Sequence, residues 1–343
     1  GWLTFHDRKW LTSKRPLTTA TLVIENKKEL VPDPVALERL ISKKRREAEG
    51  SRAIKSYRKI AKAINQANAL LRENNYDLAI ETIEEILKKE KENSDLVLMR
   101  ARCLYRKYFT TENKTHLNMA RNGFKKSYDL GQRKDILYYL WYKAETTASD
   151  PNGALEVCNA ALQNEILSKI DWYQKRSDAY LNLSRAHEKA LNSQTAIEFM
   201  NASFWDSKRC ADISSQSEKA AILERIHFII DEVFRLFRTT DLDVSELESC
   251  YDIFCEGAKI FYDEDDVYSK LIQCNKAIYE KISSFERLTK GHRNKLKGIT
   301  NQTKKVLQRK RVKQSDLPVV SKFDQEVESL QVMIDDIFEE LEE

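Results

Sequence analysis

Residues 73–95 read ENNYDLAIETIEEILKKEKENSD, a polar turn followed by a short stretch with a helical period. After Tyr76, the apolar side chains Ala79, Ile83 and Ile86 recur at intervals of four and three residues. That spacing places them on one face of an α-helix and leaves the intervening acids toward solvent. The stretch therefore predicts an amphipathic helix with a small residue, Ala79, where a neighbouring helix can approach closely.

Similar helices recur along the chain. Ala67 precedes Ala101 by 34 residues, and the same interval separates Ala120 from Ala154. A seven-residue insertion, TTENKTH, delays Ala120 relative to its counterpart Ala79. A fourth copy reads TAIEFMNASFW and contains Ala196. In each of the four copies a larger residue follows the small residue of the second helix by four positions: Ile83, Phe124, Cys158 and Met200. Small residues let two helix backbones approach, larger ones fill the flanking grooves, and neighbouring pairs must stack to bury their apolar faces.

This 34-residue helix–turn–helix pattern resembles the tetratricopeptide repeat (TPR) family over residues 60–205. The family's small positions match Ala67, Ala79, Ala101, Ala120, Ala154, Ala196 and Ser177. The family's closing Pro is absent from every copy, and its Gly is replaced by Ala, Tyr or Ser. The resemblance implies an all-α solenoid of antiparallel helix pairs with a C-terminal helical extension. The alternative is a non-repeating helical bundle in which the Ala spacing is coincidental.

The composition favours a helical body and excludes a membrane protein. Only eight Gly and five Pro occur in 343 residues, and Pro breaks helix interiors at roughly 3 kcal/mol. Six Cys without a C-x-x-C pair predict reduced, buried thiols. Neither a signal peptide nor an apolar run of about 18 residues occurs, so we expect a cytoplasmic protein. Because the sequence starts without Met, we also expect it to be part of a larger protein.

Four segments are predicted along the chain. Residues 1–31 contain the strand-like run TATLVIENKKEL and form a short non-repeat segment. Residues 32–205 form the TPR-like repeats, and residues 206–289 form degenerate helical repeats. Residues 290–343 combine a basic helix with an acidic amphipathic one, in which Phe323, Val327, Leu330, Ile334, Ile337 and Leu341 follow an a/d spacing. This last helix is interpreted as a cap, as an internal, autoinhibitory ligand, or as a dimer element that self-associates through residues 323–341.

The resemblance to the TPR family also implies a binding surface, because helix A of each repeat lines the concave groove in that family. Carrying those positions over predicts a basic, aromatic groove for an acidic or extended segment of a protein partner: Asn68, Arg72, Arg102, Tyr105, Arg106, Tyr139 and Lys143. A clamp for chaperone C-termini is disfavoured, since only Asn68 matches it, while Ile64 and Arg102 replace its Lys and second Asn. Ordinary solvated helix faces are the alternative.

Charge is distributed in blocks although the net charge is only +4. Residues 241–266 hold ten acids and one Lys, residues 290–314 ten cations and no acid, and residues 323–343 nine acids and no base. We expect the blocks to pair with one another. The alternative is an RNA- or DNA-binding adaptor that uses segments 43–62 and 290–314, with contacts from Lys43, Lys44, Arg45, Arg46, Lys304, Lys305, Arg309, Lys310 and Arg311.

Signals for catalysis are weak. Glu25 and Lys27 form E-x-K after an apolar strand, with Asp7 upstream, which resembles the magnesium-binding core of PD-(D/E)xK nucleases. His6 stands where that family has Pro before the Asp, so the third hypothesis is a piece of a nuclease-containing protein. We predict no catalytic residue, no metal site and no cofactor. The preferred function is a protein-interaction scaffold or sensor module of a larger cytosolic protein.

Overall fold

Thirteen α-helices make up the regular structure of residues 49–166, 168–285, 288–313 and 322–339, the ranges that the computed structural model describes. They are α1 (Glu49–Arg72), α2 (Tyr76–Leu87), α3 (Ser94–Thr111), α4 (Lys114–Asp129), α5 (Asp135–Thr147), α6 (Pro151–Gln163), α7 (Lys169–Lys189), α8 (Ser193–Ile213), α9 (Gln216–Thr239), α10 (Val244–Ile260), α11 (Asp265–Ser283), α12 (Lys290–Lys313) and α13 (Lys322–Glu339). The strand predicted within residues 1–31 lies outside these ranges.

The turns between helices supply the signals that start the next helix. Asn93 accepts a hydrogen bond from the backbone N–H of Leu96 at 3.0 Å, which satisfies one of the free donors at the start of α3. Asp150 does the same for α6, where Pro151 occupies the first helical turn. Asp243 begins α10 with a reciprocal capping box. Short polar connections of this kind turn the chain back on itself between helices.

The chain divides into two compact units, one ending at Leu140 and the other beginning at Trp141. In the first unit α2 packs against α1 and α3, α3 packs against α4, and α1 also packs against α3. In the second unit α8 packs against α10, and α9 and α13 each pack against α11, in addition to the sequential contacts. Contacts with the next helix and the next but one define stacked helix pairs, so the prediction of an all-α, TPR-like repeat fold is confirmed.

The predicted small residues lie where the repeat requires them. Each is buried: Ala67, Ala79, Ala101, Ala120, Ala154, Ala196 and Ser177. The larger residues Ile83, Phe124, Cys158 and Met200 are completely buried as well. Two solvent-accessible acids of α2 also pair with α3, since Glu84 forms an ion pair with Arg100 at 2.6 Å and Asp77 forms one with Lys107. The apolar face of α2 packs into the core of the first unit, and these two acids join α2 to α3.

The fourth repeat differs from the prediction at its helix crossing. Ser184, and not Ser177, meets Ala196, since its hydroxyl donates to the Ala196 carbonyl at 2.8 Å. Ser177 lies two turns earlier and contacts Ser203 and Ser207 through its hydroxyl, at 2.7 and 2.9 Å. Two levels of small polar residues thus join α7 to α8. The interval from Ser184 to Ala196 is twelve residues, as it is from Ala67 to Ala79, and this spacing could have revealed Ser184.

All six cysteines are free and buried, as the sequence predicts. Burial raises the pKa of Cys103, Cys158, Cys210 and Cys250 to about 12. Thiols with such pKa values stay protonated at neutral pH, and protonated thiols are poor nucleophiles. These side chains therefore act as small apolar core residues.

Helices α3 and α4 approach each other closely at Gly123, and Gly123→Ala should test this contact. A methyl group at this position would stand 2.8 Å from Cβ of Ala101, so α3 and α4 must move apart. Overpacking of this kind costs roughly 1–3 kcal/mol, against a gain of about 1 kcal/mol in helix propensity. We expect a net loss in the free energy of unfolding, measured by urea denaturation.

Gly298→Ala provides the matched control. Gly298 lies within α12, is exposed, and a methyl group there meets nothing within 4 Å. Helix propensity alone should then stabilise the protein by about 1 kcal/mol. If both substitutions stabilised the protein equally, the close contact between α3 and α4 would be refuted.

Candidate partner-binding surfaces

The first helices of the first two repeats form one adjoining surface. Arg102 of α3 donates a hydrogen bond from Nη1 to Oδ1 of Asn68 in α1, at 3.1 Å, and the two residues are 34 positions apart. Arg72 and Arg106 each follow four residues later, which places them on the same faces of their helices. We call Asn68, Arg72, Arg102 and Arg106 the helix-A surface.

The other residues predicted for the groove differ in accessibility. Tyr105 is buried, with its ring 6.3 Å from that of Phe124 and 5.0 Å from that of Phe109. Tyr139 lies on α5 in the first unit and is 48% exposed. Lys143 is an exposed residue of the same helix that belongs to the second unit. The part of Tyr105 that reaches the surface is small, so an aromatic contact there must come from another ring.

Phe109 provides that ring, and sequence reasoning missed it. It is 57% exposed and lies seven residues after Arg102 on α3, hence on the same helix face. Its ring meets Tyr105 edge-on and also contacts Tyr108. The signal was available, since Phe109 follows Arg106 by three residues and Arg102 by seven, and both intervals keep it on the same helix face. The helix-A surface therefore has an apolar residue beside its cations.

The residues predicted for nucleic-acid contacts are only partly described. Lys304 is half-buried and Lys305 exposed on α12. Arg309, Lys310 and Arg311 belong to the same helix, but the structure does not describe their side chains. Residues 43–46 lie outside the described ranges. The magnesium-binding candidates Asp7, Glu25 and Lys27 also lie outside the described ranges. These assignments stay predictions.

Two ion pairs join the charge blocks within the described part of the second unit. Lys295 of α12 meets Glu248 of α10 at 2.7 Å, and Lys297 meets Asp335 of α13 at 3.0 Å. The hydrogen bond from Gln331, together with Lys297, lowers the pKa of Asp335. Val327 and Leu330 of α13 are buried, and α13 packs on α11 and α12. The described part of the acidic helix thus covers its own chain, which favours the interpretation as a cap.

A buried ion pair joins α7 to α8. The guanidinium of Arg176 donates to both carboxylate oxygens of Asp206, at 2.6 and 2.7 Å, and Arg209 adds a contact at 3.2 Å. The side chain of Asp206 is only 2% exposed. Arg225 of α9 continues the network to Asp178 at 2.6 Å and to Ser177. A buried carboxylate with this many donors has a structural role in positioning helices.

A second charged cluster lies on α9 and α11. Lys270 contacts Asp231 at 2.6 Å and also Asp266, while His227 lies between Asp231 and Glu264. Burial lowers the pKa of Lys270, but its hydrogen bonds to the two aspartates outweigh burial and leave the pKa raised. Within the described ranges, no group of three or more His, Cys, Asp or Glu side chains has the arrangement of a metal site.

These features define a class of protein: an all-α chain of TPR-like helix pairs, with charged and aromatic side chains on the outer faces of its helices. No helix among the described residues has both the length and the apolar character needed to cross a bilayer.

The solved structures to which the chain is similar include helical-repeat proteins. The chain is 15% identical to a TPR repeats protein from Bacteroides fragilis, over 72% of this chain and 98% of that one, with a TM-score of 0.36. It is 13% identical to a circular tandem repeat protein, over 93% and 81%, with a TM-score of 0.35. For YrrB, a TPR protein with an unusual peptide-binding site, the identity is 16%, over 51% and 96%, with a TM-score of 0.28. These scores are low, and the fold class follows from the helix pairs themselves.

No protein-family model matches the sequence, and no curated protein does either.

Proposed function

We propose that this chain is a protein-interaction module that binds an acidic, extended segment of a partner protein on the helix-A surface of its first unit. The observation that carries the proposal is the hydrogen bond between Arg102 and Asn68, because it holds two successive A helices side by side. The cations on both helices can then contact the same extended segment of the partner protein.

The chemistry of the surface favours an acidic segment. Arg72 and Arg106 are exposed, and the planar guanidinium binds carboxylates through two parallel hydrogen bonds. Phe109 offers an apolar contact next to Arg106. An extended segment suits the surface because its backbone lies along successive helices and presents side chains at regular intervals. Tyr139 extends the proposal to the part of α5 that lies in the first unit, whereas Lys143 belongs to the second unit and stays a prediction.

The test is binding of a labelled peptide of alternating Asp and Ser to the full chain, followed by fluorescence anisotropy. In Arg72→Glu/Arg106→Glu we expect the affinity to fall at least about tenfold, since two attractive contacts become repulsive. Arg102 is left unchanged because it also holds α3 against α1. The affinity for the native chain should weaken as salt is added.

A matched control reverses two cations elsewhere in the same unit, Lys88→Glu/Lys126→Glu. Both side chains are exposed and lie on the B helices α2 and α4, or directly after α2. Equal weakening by both double variants, or no binding at about 50 mM salt, would refute the proposal.

A further inference from the structure

The B helices of the first unit enclose a groove that differs in chemistry from the helix-A surface. It has a volume of 590 Å³ and lies between α2 and α4, with α3 beneath it. Its apolar lining consists of Leu87 and Val97 together with Met119, which is 36% exposed. We call this the B-helix groove. Its volume falls within the range of roughly 300–1,000 Å³ that is typical of ligand sites.

The rim of the B-helix groove is strongly basic. Lys88 and Lys91 follow the end of α2, and Lys126 stands opposite on α4. Glu84 is the one acid among the described lining residues, and its carboxylate is already engaged by Arg100 at 2.6 Å. Three lysines therefore surround an apolar floor, and the carboxylate of the lining residues is paired with Arg100 and not with these lysines.

The groove suits a helix better than an extended peptide. Its apolar floor lies between cations on α4 and after α2, a pattern that matches one apolar face of an amphipathic helix flanked by acids. A helix satisfies its own backbone and presents only side chains. Met119, Asn122 and Lys126 lie at intervals of three and four along α4 and span about 10 Å, which equals two turns of a docked helix.

We propose that the B-helix groove binds an amphipathic, acidic helix of a partner protein. Two apolar side chains of that helix, three or four residues apart, occupy the floor at Leu87, Val97 and Met119. Its flanking Asp or Glu residues pair with Lys88, Lys91 and Lys126. Methionine adapts its shape to different apolar partners, which suits Met119 to this position. The B-helix groove and the helix-A surface use different residues and can be occupied independently.

The probe for this proposal is a labelled synthetic peptide with the sequence of residues 322–339, KFDQEVESLQVMIDDIFE, which combines an apolar stripe with acids. It is titrated into the full chain and followed by anisotropy. We expect Lys88→Glu/Lys126→Glu and, separately, Met119→Ser to weaken binding at least about fivefold, whereas Arg72→Glu/Arg106→Glu leaves it unchanged. Met119 and both lysines are exposed, so the fold should persist, which far-UV circular dichroism checks.

Two controls make the outcome decisive. A scrambled peptide of the same composition has the same charge but lacks the apolar stripe. If the apolar floor contributes to binding, this peptide should bind at least about fivefold more weakly; binding by charge alone would leave the two affinities equal. Lys297→Glu removes the cation that α13 contacts in its own chain, and it should not affect the probe. Loss of binding only in Lys297→Glu would assign the probe to α12. That result, equal binding of the scrambled peptide, or no binding to the native chain would overturn the proposal.

Discussion

Asp206→Ala should lower the free energy of unfolding of the second unit by about 3–5 kcal/mol, the loss expected when one partner of a buried ion pair is removed. The carboxylate of Asp206 accepts two hydrogen bonds from Arg176 and one from Arg209. Without it, the guanidinium of Arg176, whose side chain is only 16% exposed, loses its charge partner while still packed between α7 and α8. The penalty comes chiefly from that desolvated charge.

Urea denaturation followed by tryptophan fluorescence measures this effect, because three of the five tryptophans, Trp141, Trp172 and Trp205, lie in the second unit. Asp212→Ala is the matched control. It removes the same group from the same helix, but Asp212 is 61% exposed and pairs with Lys208 at 3.4 Å. An exposed pair of this kind contributes about 1 kcal/mol or less. Equal losses for the two variants would contradict a buried, structural role for Asp206.

Phe124→Ala should destabilise the first unit by about 3–5 kcal/mol, through lost apolar burial and the cavity that remains. The ring of Phe124 is completely buried four residues after Ala120, where it fills the groove beside the helix crossing. It meets Tyr105 edge-on, so an aromatic contact disappears as well. Far-UV circular dichroism during urea denaturation reports the change.

Phe109→Ala isolates the contribution of burial. Phe109 also contacts the ring of Tyr105 and belongs to the same unit, but it is 57% exposed. We expect its truncation to change the free energy of unfolding by less than about 1 kcal/mol, since little area leaves water when it folds. A loss at Phe109 as large as that at Phe124 would show that the assignment of the core position is wrong.

The helix pairs could be predicted because their cause is local in sequence. Ala67 and Ala79 are separated by one turn and a few helical residues, so their spacing alone shows that two helices cross there. The same reasoning predicted the buried position of Phe124. The Ala pattern could not predict the crossing of α9 and α10, because there the small residue is a glycine, Gly257, and not an alanine. There, a methyl group on Gly257 would stand 2.6 Å from the side chain of Ile230.

The candidate surfaces could be predicted only in part, since they depend on contacts between distant residues. The helix-A positions followed from the family resemblance, but the burial of Tyr105 depends on Phe124 of the next helix. Arg176 and Asp206 are 30 residues apart, and neither stands in a motif that marks a pair. The B-helix groove combines residues of three helices and a connection, and no sequence period joins Lys88 to Lys126. Side-chain accessibility and cross-helix pairing required the three-dimensional arrangement.

The serine contacts between α7 and α8 have a mechanical consequence. Ser177 and Ser184 are two turns apart, about 10 Å along α7, and each hydrogen-bonds to α8. Alanine contacts resist compression but allow one helix to slide or rotate along the other, whereas directional hydrogen bonds at two levels oppose both movements. The α7–α8 pair should therefore resist bending and sliding more than a helix pair joined by apolar contacts alone. A force applied to the second unit would be carried through α7 and α8 with little distortion, and bending would concentrate at crossings that rely on apolar contact alone.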